Sequence, residues 1–123
     1  MAIVHHHLIY QAKTSNHYDE KSEEELRKFL YDLLDVINMK CLIPAQFKFS
    51  HQKAWTGIVG VITSHVAFHY WTIEHYVQLD IYSCKSFDKN KAIDFLNKFL
   101  GSSEVKTLFI DRAVGEDFKI EKQ

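Results

Sequence analysis

Residues 56–84 read TGIVGVITSHVAFHYWTIEHYVQLDIYSC. Within them, the run from Ser64 to Trp71 alternates with a period of two. Val66, Phe68 and Tyr70 fall on one side, and His65, Ala67, His69 and Trp71 on the other. Val77 to Cys84 repeats the pattern, setting Val77, Leu79 and Ile81 against Gln78, Asp80, Tyr82 and Cys84. Two such runs predict a pair of strands with one apolar face for packing and one chemical face, on which Cys84 is expected beside both histidines. An antiparallel sheet can carry that division, with helices over one face and a site on the other. Gly57 and Gly60 interrupt a run rich in Ile and Val, which marks a bulge or a close backbone approach in the preceding strand.

Outward from this centre, residues 2–12 read as a first strand, apolar at Ile3, Leu8 and Tyr10 and containing His5, His6 and His7. Strand-packed or exposed imidazoles are the plainer expectation for that triplet, and a metal site is the alternative. A polar connection, residues 13–21, leads to Ser22, which with Glu25 fits a capping box. Leu26, Phe29, Leu30, Leu33, Leu34 and Ile37 then recur at helical spacing. Residues 40–49 follow as a strand in which Pro44 predicts an edge position or a bulge, and residues 51–55 as a short loop.

Asp88 is placed to cap a second helix with an apolar stripe at Ala92, Phe95, Leu96 and Phe99, and Gly101 to stop it. Residues 105–111 make a last strand, and the residues after it are expected as a frayed tail. The fold class is therefore α/β in the α+β sense. A mainly antiparallel sheet with two helices on one face forms a two-layer sandwich, in a single domain over residues 1–123.

Composition narrows the function classes. A chain of 123 residues holds one core, and a net charge of -1 provides no electrostatic reason to bind nucleic acid or an anionic membrane. No apolar run reaches the length of a membrane span, and the N-terminus lacks a basic flank before an apolar signal core. A cytoplasmic location is expected, with Cys41 and Cys84 as free thiols.

Taken one at a time, Ser64 reads as a turn residue, His65 and His69 as strand histidines and Cys84 as a small core residue. A zinc site on the two histidines is disfavoured, because four residues along a strand span roughly 13 Å. Together the residues resemble the bacterial and archaeal class of S-adenosylmethionine decarboxylases, small pyruvoyl-dependent enzymes of polyamine synthesis. The pattern of that family is a Ser-His pair, a histidine five residues after the serine, a tryptophan two further on and a cysteine twenty after the serine. These fall on Ser64, His65, His69, Trp71 and Cys84. His7-Leu8, Phe47 and Thr56-Gly57, where the family has Ser-Gly, extend the likeness.

The resemblance implies the same two-layer architecture and self-cleavage of the Thr63–Ser64 bond into a β chain, residues 1–63, and an α chain, residues 64–123. Ser64 would become the pyruvoyl group, which decarboxylates S-adenosylmethionine to the aminopropyl donor for spermidine. It implies that His69 removes the serine α-proton during cleavage, that Thr56 assists, and that Cys84 reprotonates the product carbon. His65 and Trp71 would shape the substrate pocket.

The chain departs from the family at Thr63, where a glutamate is usual, and at Thr72-Ile73, where Pro-Glu is usual. The family glutamate contacts the ribose, and Glu74 is the carboxylate nearest that position here. The resemblance also implies a homodimer with sites near the subunit interface; from the histidine spacing no metal is expected. The departures motivate two alternatives: an uncleaved, non-catalytic ligand-binding or regulatory homologue, and a pyruvoyl-dependent arginine or ornithine decarboxylase.

Overall fold

The computed structural model describes residues 4–112 and 117–123. Its elements are β1 (His6–Thr14), α1 (Glu23–Val36), β2 (Cys41–Phe49), β3 (Ala54–Val61), β4 (Ser64–Trp71), β5 (Tyr76–Ser83), α2 (Lys89–Leu100), β6 (Ser102–Asp111) and β7 (Lys119–Lys122). They form one seven-stranded sheet in the order β2-β3-β4-β5-β1-β6-β7, and every neighbouring pair is antiparallel. Both helices lie on one face. Ala2 and Ile3 of the expected first strand lie outside the described residues.

The predicted alternation decides which face is covered. Leu8, Tyr10 and Ala12 of β1, Val66, Phe68 and Tyr70 of β4, and Val77, Leu79 and Ile81 of β5 are buried. They meet Leu26, Phe29, Leu30, Leu33 and Leu34 of α1 and Ala92, Ile93, Leu96 and Leu100 of α2. Phe29 is the hinge of this layer, stacked on Phe99 at 4.3 Å and edge-on to Phe68 at 5.6 Å. No helix among the described residues is long and apolar enough to cross a membrane.

The punctuation residues act largely as expected. Asp88 accepts the N–H groups of Asn90 and Lys91 at 3.0 and 3.1 Å, and Gly101 ends α2 in the left-handed region at φ 60°. β2 is an edge strand whose register shifts between Cys41 and Ile43 and again across Pro44, between Ile43 and Gln46, a position where a residue without an N–H is tolerated. Gly57 lies beneath the Phe47 ring and Gly60 beneath Ile43, each in a space that a Cβ would fill.

Three expectations fail. The tail is not frayed: β7 pairs with β6, Ile120 opposite Ile110, and is fastened by a Lys89–Glu121 ion pair. An exposed four-residue strand has no buried face, so its sequence carries no alternation to read. The capping box at Ser22 does not form. Its hydroxyl instead accepts the Asp19 N–H at 2.9 Å and lies 3.3 Å from Asp19 Oδ1, turned back into the preceding loop. The polar connection is also shorter than expected, since β1 runs to Thr14 and Tyr18 is buried against Phe99.

Candidate active site

β3 and β4 are joined by Ile62 and Thr63 alone, with Val61 opposite Ser64. So tight a turn forces Thr63 to φ 52°. A β-branched residue in the left-handed region is strained by roughly 1–3 kcal/mol. The Thr63 hydroxyl donates to Ile62 O at 2.7 Å and lies against the Cys84 thiol. The strain thus sits on the residue that supplies the carbonyl of the Thr63–Ser64 bond.

Ser64, next in the chain, starts β4 half-buried. Its Oγ accepts the backbone N–H of Cys84 at 3.2 Å, donates to Ser83 Oγ at 3.3 Å and lies 4.0 Å from Cys84 Sγ. These groups open on a cavity of about 360 Å³, lined also by Met39, Val61, Ile62 and Lys85. Lys85 Nζ donates to Asn38 O at 3.0 Å across its rim. The expectation that Cys84 shares a face with both histidines is corrected here. β5 ends at Ser83, so strand alternation no longer sets the direction of Cys84, whose thiol meets the turn at Ile62 O and Thr63.

The helix-free face carries a second set of groups. The register aligns Ile43, Gly60, His65, Tyr82, His7, Ile110 and Ile120 in one row across seven strands. His65 stacks on Tyr82 at 5.4 Å, His7 and His5 approach the same ring edge-on, and the Arg112 guanidinium lies 5.0 Å from its centroid. His7 Nε2 is 3.7 Å from Asp80. The sequence places Tyr82 and Asp80 on the chemical face without giving them a role, and does not single out Arg112. For Tyr82 and Asp80 the signal was the shared parity with Gln78; Arg112 follows the last recognisable strand and carried none.

Further along the same face, the register sets Thr56 opposite His69, with Oγ1 3.1 Å from Nδ1. Trp71 lies 6.2 Å from His69 and 5.7 Å from Tyr76. Trp71, Glu74, Tyr76, Gln78 and Lys13 line a groove of about 390 Å³. Ile73 is 71% exposed and points away from any packing, so the neighbouring Glu74 is the carboxylate of this groove.

The sequence-predicted residues therefore fall into three groups. Thr63, Ser64 and Cys84 meet at one end of the sheet, His65 stands in the Tyr82 row, and Thr56, His69, Trp71 and Glu74 lie together or in sequence at the other end. Ser64 and His69 are five residues apart on one strand, roughly 16 Å along it and on opposite faces. One chain alone does not bring them together.

A family model described as S-adenosylmethionine decarboxylase matches residues 6–113 of this chain. The S-adenosylmethionine decarboxylase proenzyme of Pyrococcus abyssi (strain GE5 / Orsay) is 27% identical over 118 residues, covering 95% of this chain and 84% of that protein. The proenzyme of the same name from Clostridium botulinum (strain Loch Maree / Type A3) is 26% identical over 106 residues, covering 84% and 90%. The counterpart from Pyrococcus furiosus is 30% identical over 101 residues, covering 80% and 72%. Among solved structures, the adenosylmethionine decarboxylase from Aquifex aeolicus VF5 superposes with a TM-score of 0.76 at 17% identity, covering 95% of this chain and 97% of that one. At that identity the likeness is one of fold.

Proposed function

The chain belongs to the S-adenosylmethionine decarboxylase family, and from that premise we propose that it is a proenzyme that cleaves itself at Thr63–Ser64 and then decarboxylates S-adenosylmethionine. The single observation that carries the reading is the seating of Ser64: its hydroxyl is held by the Cys84 N–H directly after a residue in a left-handed conformation. The serine that would become the cofactor stands at a strained bond, with an oxygen already oriented.

The residues fit a pyruvoyl group derived from Ser64. Cys84 and Ser83 border the position, and the cavity beside it is open enough to admit a substrate. Such a group supplies an electrophilic carbonyl that withdraws electrons from the bond to a departing carboxylate, a capacity that ordinary side chains lack. The Cys84 thiol, 4.0 Å from Ser64 Oγ, is the proton donor for the product carbon. His69, hydrogen-bonded to Thr56, is the base for the serine α-proton.

Because Ser64 and His69 lie far apart within one chain, the base comes from a second copy. The helix-free face exposes Ile43 and Ile58 near one edge of the sheet and Ile120 at the other, at 48–58%, on either side of the His65–Tyr82–His7 row, and a partner copy covers that face. The working unit is a homodimer in which the Thr56–His69 pair of one chain serves Ser64 of the other. The protein is cytoplasmic, and its product is the aminopropyl donor for spermidine.

Carbon dioxide release from carboxyl-labelled S-adenosylmethionine tests the activity, with arginine and ornithine as comparison substrates. Release from neither S-adenosylmethionine nor the two amino acids, by cleaved protein, overturns the enzymatic reading. Co-expression of Ser64→Ala with His69→Ala chains tests the shared site. Cleavage of the His69→Ala copy only in the mixture supports it, and no cleavage in the mixture contradicts it.

A further inference from the structure

Ser83 borders the site but has no step of its own in the reading above, and its surroundings are unlike those of an ordinary strand serine. It is fully buried, with 0% of its surface exposed, on a strand position whose equivalents Val77, Leu79 and Ile81 are all apolar. A buried hydroxyl in that place is costly unless its donor and acceptor capacity is used. Ser83 uses all of it. Its proton goes to Lys85 O at 2.7 Å, and its oxygen accepts the Lys85 N–H at 2.9 Å and the Ser64 hydroxyl at 3.3 Å.

The tie to Lys85 sets the direction of the third bond, and Ser83 Oγ at 3.3 Å is a closer acceptor for the Ser64 proton than Cys84 Sγ at 4.0 Å. With its only proton committed to Lys85 O, Ser83 has nothing left to donate to Ser64 and acts on it as an acceptor. The Ser64 O–H therefore points at Ser83, while the Cys84 N–H occupies one lone pair of the same oxygen. Two contacts from adjacent residues fix the Ser64 side-chain rotamer and leave one lone pair free.

We propose that Ser83 is a positioning residue for the first step of self-cleavage, holding the Ser64 hydroxyl so that its free lone pair is presented to the Thr63 carbonyl carbon. The inference rests on the reading that Thr63–Ser64 is cleaved. In the step concerned, a bond forms between Ser64 Oγ and the Thr63 carbonyl carbon, and the bond from that carbon to the Ser64 nitrogen breaks. The hydroxyl proton ends on the freed nitrogen, leaving an ester and an amine with no other reactant consumed. Ser83 contributes orientation, which is worth most when the attacking atom sits on a freely rotating side chain.

The test follows the appearance of two chains by denaturing intact mass in fresh wild type, Ser83→Ala and Ser83→Thr, with and without hydroxylamine, a nucleophile that opens esters. The expected result is cleavage at least tenfold slower in Ser83→Ala, no acceleration by hydroxylamine because the ester does not accumulate, and recovery in Ser83→Thr, which keeps the hydroxyl. Thermal melting of the uncleaved Ser83→Ala chain identifies a merely unfolded variant. In that case Ser83→Cys, with its weaker acceptor, carries the comparison and is expected to cleave at a rate below wild type.

Wild-type cleavage rates in Ser83→Ala overturn the proposal alone. A hydroxylamine-cleavable ester accumulating in Ser83→Ala also overturns it, because the defect then lies after the acyl shift. Slow cleavage shared by Ser83→Ala and Ser83→Thr contradicts a role for the hydroxyl. A wild-type chain that stays whole removes both this inference and the self-cleavage on which it rests.

Discussion

Thr56 Oγ1 lies 3.1 Å from His69 Nδ1 because the pairing of β3 with β4 places the two residues directly opposite each other. A histidine that acts as a base through Nε2 carries its proton on Nδ1, and the threonine oxygen is there to accept it. Thr56→Val keeps the shape and removes the acceptor. It is expected to slow cleavage about tenfold, equivalent to ~1.4 kcal/mol, and Thr56→Ser to restore the rate. Unchanged kinetics in Thr56→Val, followed by mass spectrometry, would show that the pair is only structural.

The strained turn gives a prediction about stability as well as rate. In a Ser64→Ala background, where no cleavage intervenes, Thr63→Gly relieves the left-handed conformation. Glycine adds unfolded-chain entropy that offsets part of the gain, so a rise of about 0.5–1 kcal/mol in urea unfolding is expected. With Ser64 restored, the same substitution is expected to slow cleavage, since relief of strain no longer assists it. A lower urea midpoint in Thr63→Gly would mean that the threonine side-chain contacts outweigh its strain.

Alkaline pH should report on Tyr18, whose hydroxyl donates to Phe99 O at 3.2 Å. Burial, reinforced by the Glu25 charge, pushes this phenol up to about 12 from an ordinary value of 10.0. Since the folded chain holds the proton more tightly than the unfolded one, the contribution is intact below pH 10. It is lost as pH rises toward 12, at up to ~1.4 kcal/mol per pH unit. Chemical denaturation at pH 9 to 11.5 is expected to show a shallower decline for Tyr18→Phe than for wild type. Parallel curves would contradict the assignment.

Phe29 carries the packing between the helical layer and the sheet, stacked on Phe99 and edge-on to Phe68 with no surface exposed. Phe29→Ala is expected to cost about 3–5 kcal/mol in urea unfolding of the Ser64→Ala chain. A loss below ~1 kcal/mol would show that the layer repacks around the gap.

Much of this architecture is written in local patterns. The alternation of Ser64–Trp71 and Val77–Cys84, the helical spacing from Leu26 to Ile37, the Asp88 cap and the Pro44 edge are patterns among neighbours in sequence, so their signals survive without coordinates. What escaped was set by partners that the periodic patterns do not report, some distant and one only three residues away. β7 exists because Glu121 and Ile120 find Lys89 and Ile110, and Ser22 fails to cap because Asp19 captures its hydroxyl.

The candidate site divides in the same way. Ser64, His69 and Cys84 were legible as candidates from their resemblance to the family pattern. Their separation into two clusters was not, because spacing along a strand ignores which face and which end each side chain occupies. Cys84 shows this most plainly: the strand stops one residue before it, and its direction is set by the Ile62–Thr63 turn, 22 and 21 residues upstream.

The most direct test of the account is the intact mass, under denaturing conditions, of freshly purified protein beside a Ser64→Ala control. The account predicts two chains, residues 1–63 and residues 64–123, the second beginning with a pyruvoyl group in place of serine, and a control that stays whole. A single full-length mass in both samples would contradict self-cleavage and leave an uncleaved, non-catalytic homologue.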